Sequence, residues 1–288
     1  MATTILVTGA TGTIGSQVVK HLAQKEGVTV RAGVRSPAEG QRLKSANVTV
    51  AEMDYEKPEL MAAALKGVDK AFLLPPMGDN QVALASRFID TAKAAGVKHI
   101  VKLSAFGCEI EPGIALGRAH RAVEKHIESS GIAWTFLRPN NFMQNFINFY
   151  GPDKEGAIYL PWGNGACSFI DAGDVGAVAA AALTSEGHAG KAYTLTGAEA
   201  LTIAQVASLL GEATGRTIRY VDVPEEAAKQ AMLGMKMPAT MVDGMMELHA
   251  IDKAGYAAAI SPAVKDVTGK PPRSFRDFAK ENAAKWKV

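Results

Sequence analysis

The sequence predicts a doubly wound α/β fold, in which helices cover both faces of a parallel sheet. Short runs rich in β-branched residues alternate with helix-length stretches, and this alternation is typical of βαβ units. The runs are apolar almost throughout, as expected for strands that are covered on both faces. Ligands are therefore expected at the carboxyl ends of the strands.

The elements follow one another regularly in the first half of the chain. The strand-like runs are TILVTG, VTVRAGV, NVTVAEM, KAFLLP, KHIVKLSAF and AWTFLRP. Candidate helices lie near residues 14–25, 58–66, 80–95 and 115–130. After about Tyr150 glycine and turn residues become frequent, and KAYTLTG predicts one more strand. From Leu201 onward, helix-like segments with proline stops predict a smaller substrate or lid region.

Composition excludes several classes of protein. The 288 residues are 48% hydrophobic and carry a net charge of +2, so attraction to a phosphate backbone is weak and nucleic acid is not an expected partner. The most apolar stretch, VGAVAAAALT, is too short to span a bilayer. Two cysteines and the lack of signal-peptide features lead us to expect a cytoplasmic protein. We expect either a monomer or a homodimer.

The glycine-spaced loop TGATGTIG lies between the first strand and the first helix. Gly9 permits a tight turn, Gly12 lets the backbone approach a pyrophosphate, and Gly15 lets the helix pack closely on the strand. The helix N-terminus offers free N–H groups to the anion. A dinucleotide site of the Rossmann type is predicted, formed by Thr8, Gly9, Ala10, Thr11, Gly12, Thr13, Ile14 and Gly15.

The end of the second strand distinguishes the two nicotinamide dinucleotides. An NAD site usually has an acidic residue there, whereas this chain has Arg35, followed by Ser36. A guanidinium facing a 2′-phosphate contributes about 1.5–3 kcal/mol, so NADPH is the expected cofactor; a solvated surface arginine is the alternative. Asp54 is expected near the adenine, and Leu74 and Pro75 along the ribose.

These features divide the chain as follows. Residues 1–150 are predicted to form the dinucleotide-binding domain, to which 166–198 contribute a last strand and helix. Residues 151–165 and 199–288 are predicted to form the substrate-binding region.

The segments TGATGTIG, LSAFG, SGIAWTFLRPNNFMQN and SFIDAGDVGAVA together resemble the NmrA-like atypical branch of the short-chain dehydrogenases/reductases over essentially the whole chain. Within it the chain is most similar to flavin-free NAD(P)H azoreductases and, more distantly, to triphenylmethane and quinone reductases. The segment KQAMLGMKMPATMVDGMMELHA contributes most to the azoreductase likeness. The resemblance implies a reductase that needs neither flavin nor metal.

The chain departs from the usual short-chain reductases at the catalytic positions. Ser104 fits the family's serine, but the overlay puts His120 where tyrosine would stand and Glu124 where lysine would stand. Residues four apart share a helix face, so Glu124 can bond His120, raise its pKa and favour a protonated general acid. A purely structural hydrogen bond is the alternative. A metal site through these residues lacks further ligands at suitable spacing.

Losing the tyrosine narrows the expected substrates. A general acid contributes about 10²- to 10⁴-fold, whereas positioning the reacting atoms contributes about 7–11 kcal/mol. Acceptors that take hydride before a proton, such as quinones and azo compounds in their hydrazone tautomer, are therefore favoured over simple ketones.

The substrate-side candidates lie after the sixth strand and in the methionine-rich segment. By resemblance, Pro139 and Asn140 approach the nicotinamide. Met237 and Met241 recur at helical spacing with Met245, which predicts either a soft pocket wall or a core stripe. The substrate candidates are Phe142, Trp162, Met235, Met237 and Met241.

The leading hypothesis is an NADPH-dependent oxidoreductase acting on a small conjugated aromatic acceptor. A non-catalytic redox sensor that binds NADP(H) is the alternative from another class. A reductase of imines or activated carbonyls, with His120 as the acid, is a third hypothesis.

Overall fold

The computed structural model describes residues 2–287. Its strands are β1 (Thr3–Val7), β2 (Val28–Val34), β3 (Val48–Glu52), β4 (Lys70–Leu73), β5 (His99–Leu103), β6 (Ala133–Pro139), β7 (Ala157–Leu160), β8 (Ala166–Cys167), β9 (Lys191–Leu195), β10 (Leu201–Thr202) and β11 (Arg219–Asp222). Its α-helices are α1 (Thr13–Leu22), α2 (Pro37–Gly40), α3 (Pro58–Leu65), α4 (Gln81–Ala94), α5 (Ala115–Ser130), α6 (Asn145–Asn148), α7 (Ala172–Thr184), α8 (Ile203–Thr214), α9 (Glu225–Gly234), α10 (Ala239–Lys253), α11 (Ala263–Thr268) and α12 (Phe275–Asn282).

Seven strands form the main sheet in the order β3-β2-β1-β4-β5-β6-β9. The pairs formed among β1 to β6 are all parallel. The strand order reverses between β1 and β4, and such a switch point is where open α/β sheets bind ligands at their carboxyl edge. The predicted Rossmann-type α/β class is confirmed.

The predicted elements match those of the structure closely. The four expected helices correspond to α1, α3, α4 and α5, and the expected late strand is β9. The strands form because β-branched residues pack well on a pleated surface and both faces are covered; every residue of β5 is buried. The helix α5 ends at Gly131, whose φ of 81° is the left-handed conformation that glycine adopts at a helix C-terminus.

The chain divides into two compact units. The first runs to Pro139 and resumes over Ala172–Thr194, and the second comprises Asn140–Asp171 and the chain from Leu195 onward. Relative to the predicted boundaries, residues 140–150, 166–171 and 195–198 lie in the second unit. This happens because the chain leaves the sheet at the end of β6, and α7 returns to pack against α1.

Each unit has its own apolar core. In the first unit, side chains such as Leu6, Phe88 and Phe136 fill the space between the sheet and its helices. In the second, Phe146, Phe169 and other aromatic side chains pack with α8 and α12 residues. The second unit also contains two small sheets, an antiparallel β10-β8 pair and a parallel β11-β7 pair. Among residues 2–287, no helix combines the length and apolar character needed to cross a membrane.

Candidate active site

The glycine loop closes tightly onto the start of α1. Gly9 has a φ of 60°, which an L side chain rarely adopts, and a Cβ at Gly15 would lie only 2.1 Å from the Gly9 carbonyl oxygen. The helix starts with Gly12 as its N-cap, and the Ser16 N–H donates to the Gly12 carbonyl at 3.0 Å. The N–H groups of Thr13, Ile14 and Gly15 precede this bond and therefore lie at an open helix N-terminus, and this arrangement fits a pyrophosphate.

The loop is anchored to the neighbouring strand through Thr8. Its buried Oγ1 donates to the Phe72 carbonyl at 3.0 Å and accepts from the Leu74 N–H at 2.8 Å. The Tyr55 hydroxyl donates to the Leu74 carbonyl at 3.1 Å. These bonds fix the carboxyl ends of β1, β3 and β4 beside one another, and Pro75 continues from Leu74 as a buried residue.

The polar residues predicted to bind the adenosine half lie at the same edge of the sheet. Arg35 directly follows β2 and is exposed, and Ser36 is the N-cap of α2. Asp54 follows β3, where its Oδ1 accepts the Glu56 N–H at 3.0 Å. This turn leaves Asp54 half-buried beside the buried Tyr55.

A second arginine, which sequence reasoning missed, lies close to the glycine loop. The Arg42 guanidinium donates to the Thr11 carbonyl at 3.2 Å. Thr11, Glu39 and Arg42 line a cleft of about 450 Å³. Arg42 lies seven residues beyond Arg35, which is outside the spacing of the cofactor motif. The short helix α2, which follows β2, brings the Arg42 side chain back to the glycine loop.

Ser104 and Glu124 form the centre of a buried polar cluster in the first unit. Ser104 Oγ donates to Glu124 Oε1 at 2.6 Å, and the Cys108 thiol donates to the same oxygen at 3.3 Å. Arg138, at the end of β6, binds both carboxylate oxygens, through Nε at 3.1 Å and Nη2 at 2.8 Å. Arg121 adds a bond to Oε2 at 3.0 Å.

This cluster keeps the carboxyl group of Glu124 ionised. Burial by itself raises the pKa of Glu124, but the hydrogen bonds from Arg138 and Ser104 outweigh it and lower the pKa to about 2. A bidentate Arg–carboxylate pair is among the stronger polar contacts. Because the Ser104 hydroxyl donates its hydrogen to Glu124, that hydrogen is not directed toward a ligand.

His120 pairs with a residue that sequence reasoning did not identify. Its Nδ1 lies 2.9 Å from Lys102 Nζ, which also donates to the Leu103 carbonyl at 3.0 Å. Lys102 is fully buried on β5, and His120 is 8% exposed. The signal that could have found it is a charged residue between the apolar residues Val101 and Leu103 of a predicted buried strand.

The electrostatics of this pair correct one expectation. Glu124 was expected to bond His120 and raise its pKa, but the structure directs its carboxylate to Ser104 and Arg138. Burial and the Lys102 charge lower the pKa of His120 to about 3, outweighing the attraction of Glu124. The imidazole is therefore neutral at physiological pH. Burial also lowers the pKa of Lys102, to about 7, with Glu124 acting in the opposite direction.

Two predicted ligand contacts in the second unit are engaged in internal packing. Asn140 Nδ2 donates to Ser168 Oγ at 2.9 Å and to the Ala257 carbonyl at 2.7 Å, so both amide hydrogens are used. Trp162 is completely buried, and its Nε1 donates to His249 Nδ1 at 2.6 Å. The prediction of Trp162 as a substrate-binding residue is corrected, because a buried indole presents no surface to a ligand.

The methionine stripe is also interrupted. Pro238 is the N-cap of α10, so Met237 precedes the helix, and only Met241 and Met245 share its face. Proline cannot continue a preceding helix, which is why α9 and α10 are separate. Met235 ends α9 and is 77% exposed, and Met241 is 40% exposed. These side chains are thus available to a ligand, and their role in substrate binding stays a prediction.

Two further predicted residues lie at the end of β6 and just after it. Pro139 is buried, and its carbonyl accepts the Phe106 N–H at 3.0 Å. Phe142 is half-buried and pairs with Ile170 in an isolated bridge. Their contacts with the nicotinamide and with substrate stay predictions.

The chain is similar to known proteins over nearly its whole length. The model of the NmrA-like family matches residues 1–279. The NAD(P)H azoreductase of Xenophilus azovorans is 43% identical over 281 residues, covering 97% of this chain and 98% of that protein.

Three solved structures share the fold. The NADPH-dependent quinone oxidoreductase of Escherichia coli, solved with NADPH, superposes with a TM-score of 0.87 at 28% identity, covering 96% of this chain and 99% of that one. The triphenylmethane reductase of Citrobacter sp., solved with NADP(H), gives 0.85 at 28% identity, covering 97% and 99%. NmrA, a negative transcriptional regulator solved with NADP, gives 0.77 at 21% identity, covering 97% and 95%, and shows the fold alone. The chain belongs to the NmrA-like family, with a Rossmann-type nucleotide-binding fold.

Proposed function

We propose that this protein is an NADPH-dependent reductase that transfers hydride to a conjugated, electrophilic aromatic acceptor such as an azo compound or a quinone. The observation that carries the proposal is the closure of the glycine loop on α1, where Gly9 adopts a left-handed φ of 60°, Gly15 leaves no room for a Cβ, and the helix N-terminus is open. The named activities of the similar azoreductase and quinone oxidoreductase support it.

The cofactor would be held at the carboxyl edge of the main sheet. The pyrophosphate fits the amides of the glycine loop, and Leu74 lies beside the loop, where it would contact the ribose. Arg35 supplies an exposed cation for the 2′-phosphate, and we add Arg42 to this phosphate site because it is bonded to Thr11 in the loop. When bound, NADPH supplies the hydride.

The state of His120 favours acceptors that take hydride readily. A neutral imidazole is a hydrogen-bond donor but a weak acid, so it does little for a ketone whose oxygen must be protonated early. Quinones and quinone-hydrazone tautomers accept hydride first and gain a proton afterwards. His120 is the proposed donor to the reduced acceptor, and Ser104 and Glu124 hold the end of β5 and α5 in place.

The proposal is tested by following NADPH absorbance with a panel of azo dyes, quinones, triarylmethyl cations and simple ketones, with and without oxygen. We expect oxidation with the first three classes and little with ketones. Tight NADP binding without oxidation of NADPH by any acceptor would refute the reductase and favour the sensor hypothesis. Turnover with ketones or imines alone would instead favour the carbonyl or imine reductase.

A further inference from the structure

The pairing of Lys102 with His120 extends the proposed site inward. The Lys102 ammonium group lies inside the first unit, and among residues 2–287 its hydrogen-bond partners are the Leu103 carbonyl and His120 Nδ1. Fully buried lysines are rare and need a partner for their charge. Lys102 contacts the His120 ring at Nδ1. Nδ1 can accept a hydrogen bond from the ammonium group only in the tautomer whose ring hydrogen is on Nε2.

The outer side of the imidazole is open. Across residues 2–287, no protein group bonds His120 Nε2, yet this nitrogen is not among the fully buried unbonded atoms, and the residue as a whole is 8% exposed. Lys102 has no such exposure, so a proton can pass between the lysine and a ligand only through the imidazole. The buried Lys102 ammonium group, the His120 ring and the accessible Nε2–H group thus lie in series.

We propose that Lys102 is the proton reservoir of the site and that His120 relays its proton to the reduced acceptor. Nε2–H gives its proton to the nitrogen or oxygen anion that hydride addition leaves on the acceptor, while Nδ1 takes a proton from Lys102 Nζ. The lysine is left as a neutral amine, and the imidazole as its Nδ1–H tautomer. A proton from water at Nε2 then restores both groups along the same path.

The relay explains how a ring with so low a pKa can act as an acid. His120 need never become an imidazolium, because it gains one proton as it loses the other. Lys102 has a pKa of about 7, close to the value that suits a general acid at neutral pH. The groups facing Lys102 are Glu124 and Cys108, which raise its pKa, and Arg138, which lowers it.

This inference rests on the proposed reductase activity, but it is tested first by a measurement that needs no turnover. Nitrogen NMR of labelled protein, assigned with His120→Gln, should show the Nε2–H tautomer in the wild type, with the Nδ1 resonance shifting at a midpoint near pH 7 as Lys102 titrates. An Nδ1–H tautomer, or a ring that is insensitive to pH in this range, would overturn the relay even if Lys102 variants fail to fold.

The second measurement is the pH profile of azo reduction by Lys102→Met. In the wild type, kcat should fall as pH rises through about 7. In the variant we expect a loss of about 100-fold in kcat at pH 6, no falling limb near pH 7, and an unchanged KM for NADPH. The matched control is Lys70→Met, because Lys70 is also a strand lysine but its Nζ donates only to the Leu183 carbonyl at 2.8 Å. Its profile should equal that of the wild type.

The outcomes separate the two proposals. If the wild type reduces azo compounds and Lys102→Met keeps the same profile, the relay is wrong and the reductase stands. If the wild type oxidises NADPH with no acceptor, both proposals fail.

Discussion

Ser104 Oγ donates to Glu124 Oε1 at 2.6 Å, which joins the end of β5 to the middle of α5. The bond gives the serine a supporting role, since its proton points into the protein. The same carboxylate binds Arg138 at the end of β6, so one buried charge holds together two strands and a helix of the first unit.

The first prediction is that Glu124→Gln destabilises the protein strongly. Arg138 would remain mostly buried without its buried carboxylate partner, keeping only the half-exposed Glu109 at 3.2 Å, and breaking such a buried pair typically costs about 3–5 kcal/mol. Because the pKa of Glu124 is lowered, its stabilisation is present above the ordinary glutamate pKa and is lost as pH falls toward 2. Denaturant unfolding at pH 7 and between pH 4 and 2 measures both effects.

Glu128→Gln is the matched control for that prediction. Glu128 lies on the same helix and binds the same Arg121, but its side chain is 33% exposed. Exposed pairs contribute about 0–1 kcal/mol, so this variant should unfold nearly as the wild type does. Equal stability losses in the two variants would contradict the role assigned to the buried cluster.

The second prediction concerns the closure of the glycine loop. Gly15→Ala places a methyl group 2.1 Å from the Gly9 carbonyl oxygen, and a backbone atom cannot move aside as a side-chain tip can. We expect a loss of about 1–3 kcal/mol in stability and at least about tenfold weaker NADPH binding, measured by thermal melting and calorimetry. Gly244→Ala, where a Cβ meets nothing within 4 Å, should be neutral or stabilising by up to about 1 kcal/mol. NADPH binding by Gly15→Ala with wild-type affinity would contradict the assignment of the loop.

The third prediction concerns the choice between the two dinucleotides. Arg35→Ala and Arg42→Ala should each weaken NADPH binding about 10- to 100-fold and leave NADH binding unchanged, because only NADPH carries the 2′-phosphate. Lys44→Ala removes an exposed neighbouring cation and serves as the control for net charge. If NADH affinity falls in parallel, the arginines act on the fold of the loop and not on the phosphate.

Features that depend on local sequence patterns could be predicted from the sequence, whereas contacts that depend on tertiary packing could not. Apolar strands and the glycine spacing are local patterns, and they sufficed for the fold, the boundaries of α5 and the tight glycine turn at the start of α1. Glu124 was paired with His120 because helix spacing was the only geometry available. Its actual partners, Ser104 and Arg138, come from two other strands, and their approach depends on how the sheet and α5 pack.

Trp162 and Lys102 illustrate two opposite errors. An aromatic residue in a glycine-rich segment suggested a ligand wall, yet the stack with Phe169, with ring centroids 6.0 Å apart, makes Trp162 part of the core. Lys102 lies in an apolar strand, but charged residues are usually exposed, so sequence reasoning does not assign it to a buried site. An unexpected charge in a buried element is thus more informative about function than an expected aromatic.

The fourth prediction is a stability that falls as pH rises, with its origin in Asp252 of the second unit. Its side chain is fully buried on α10, and Oδ1 accepts from Asn141 Nδ2 at 3.0 Å. In the described residues Oδ2 has no hydrogen-bond partner. Burial raises the pKa of Asp252 to about 8, so the protonated form is favoured in the folded state.

The direction in which stability changes with pH follows from which state, folded or unfolded, holds the Asp252 proton. Between about pH 4 and pH 8 the folded chain keeps a proton on Asp252 that the unfolded chain releases, so stability declines with rising pH until the folded group ionises too. Asp252→Asn removes this titration, and the variant should be more stable than the wild type at pH 8 while differing little at pH 4. Asp243→Asn, an exposed position on the same helix paired with Lys229, is the control. Chemical denaturation at pH 4 and pH 8 measures the free energy of unfolding of the Asp252→Asn variant and of the wild type. If their difference is the same at both pH values, Asp252 is not the group that titrates.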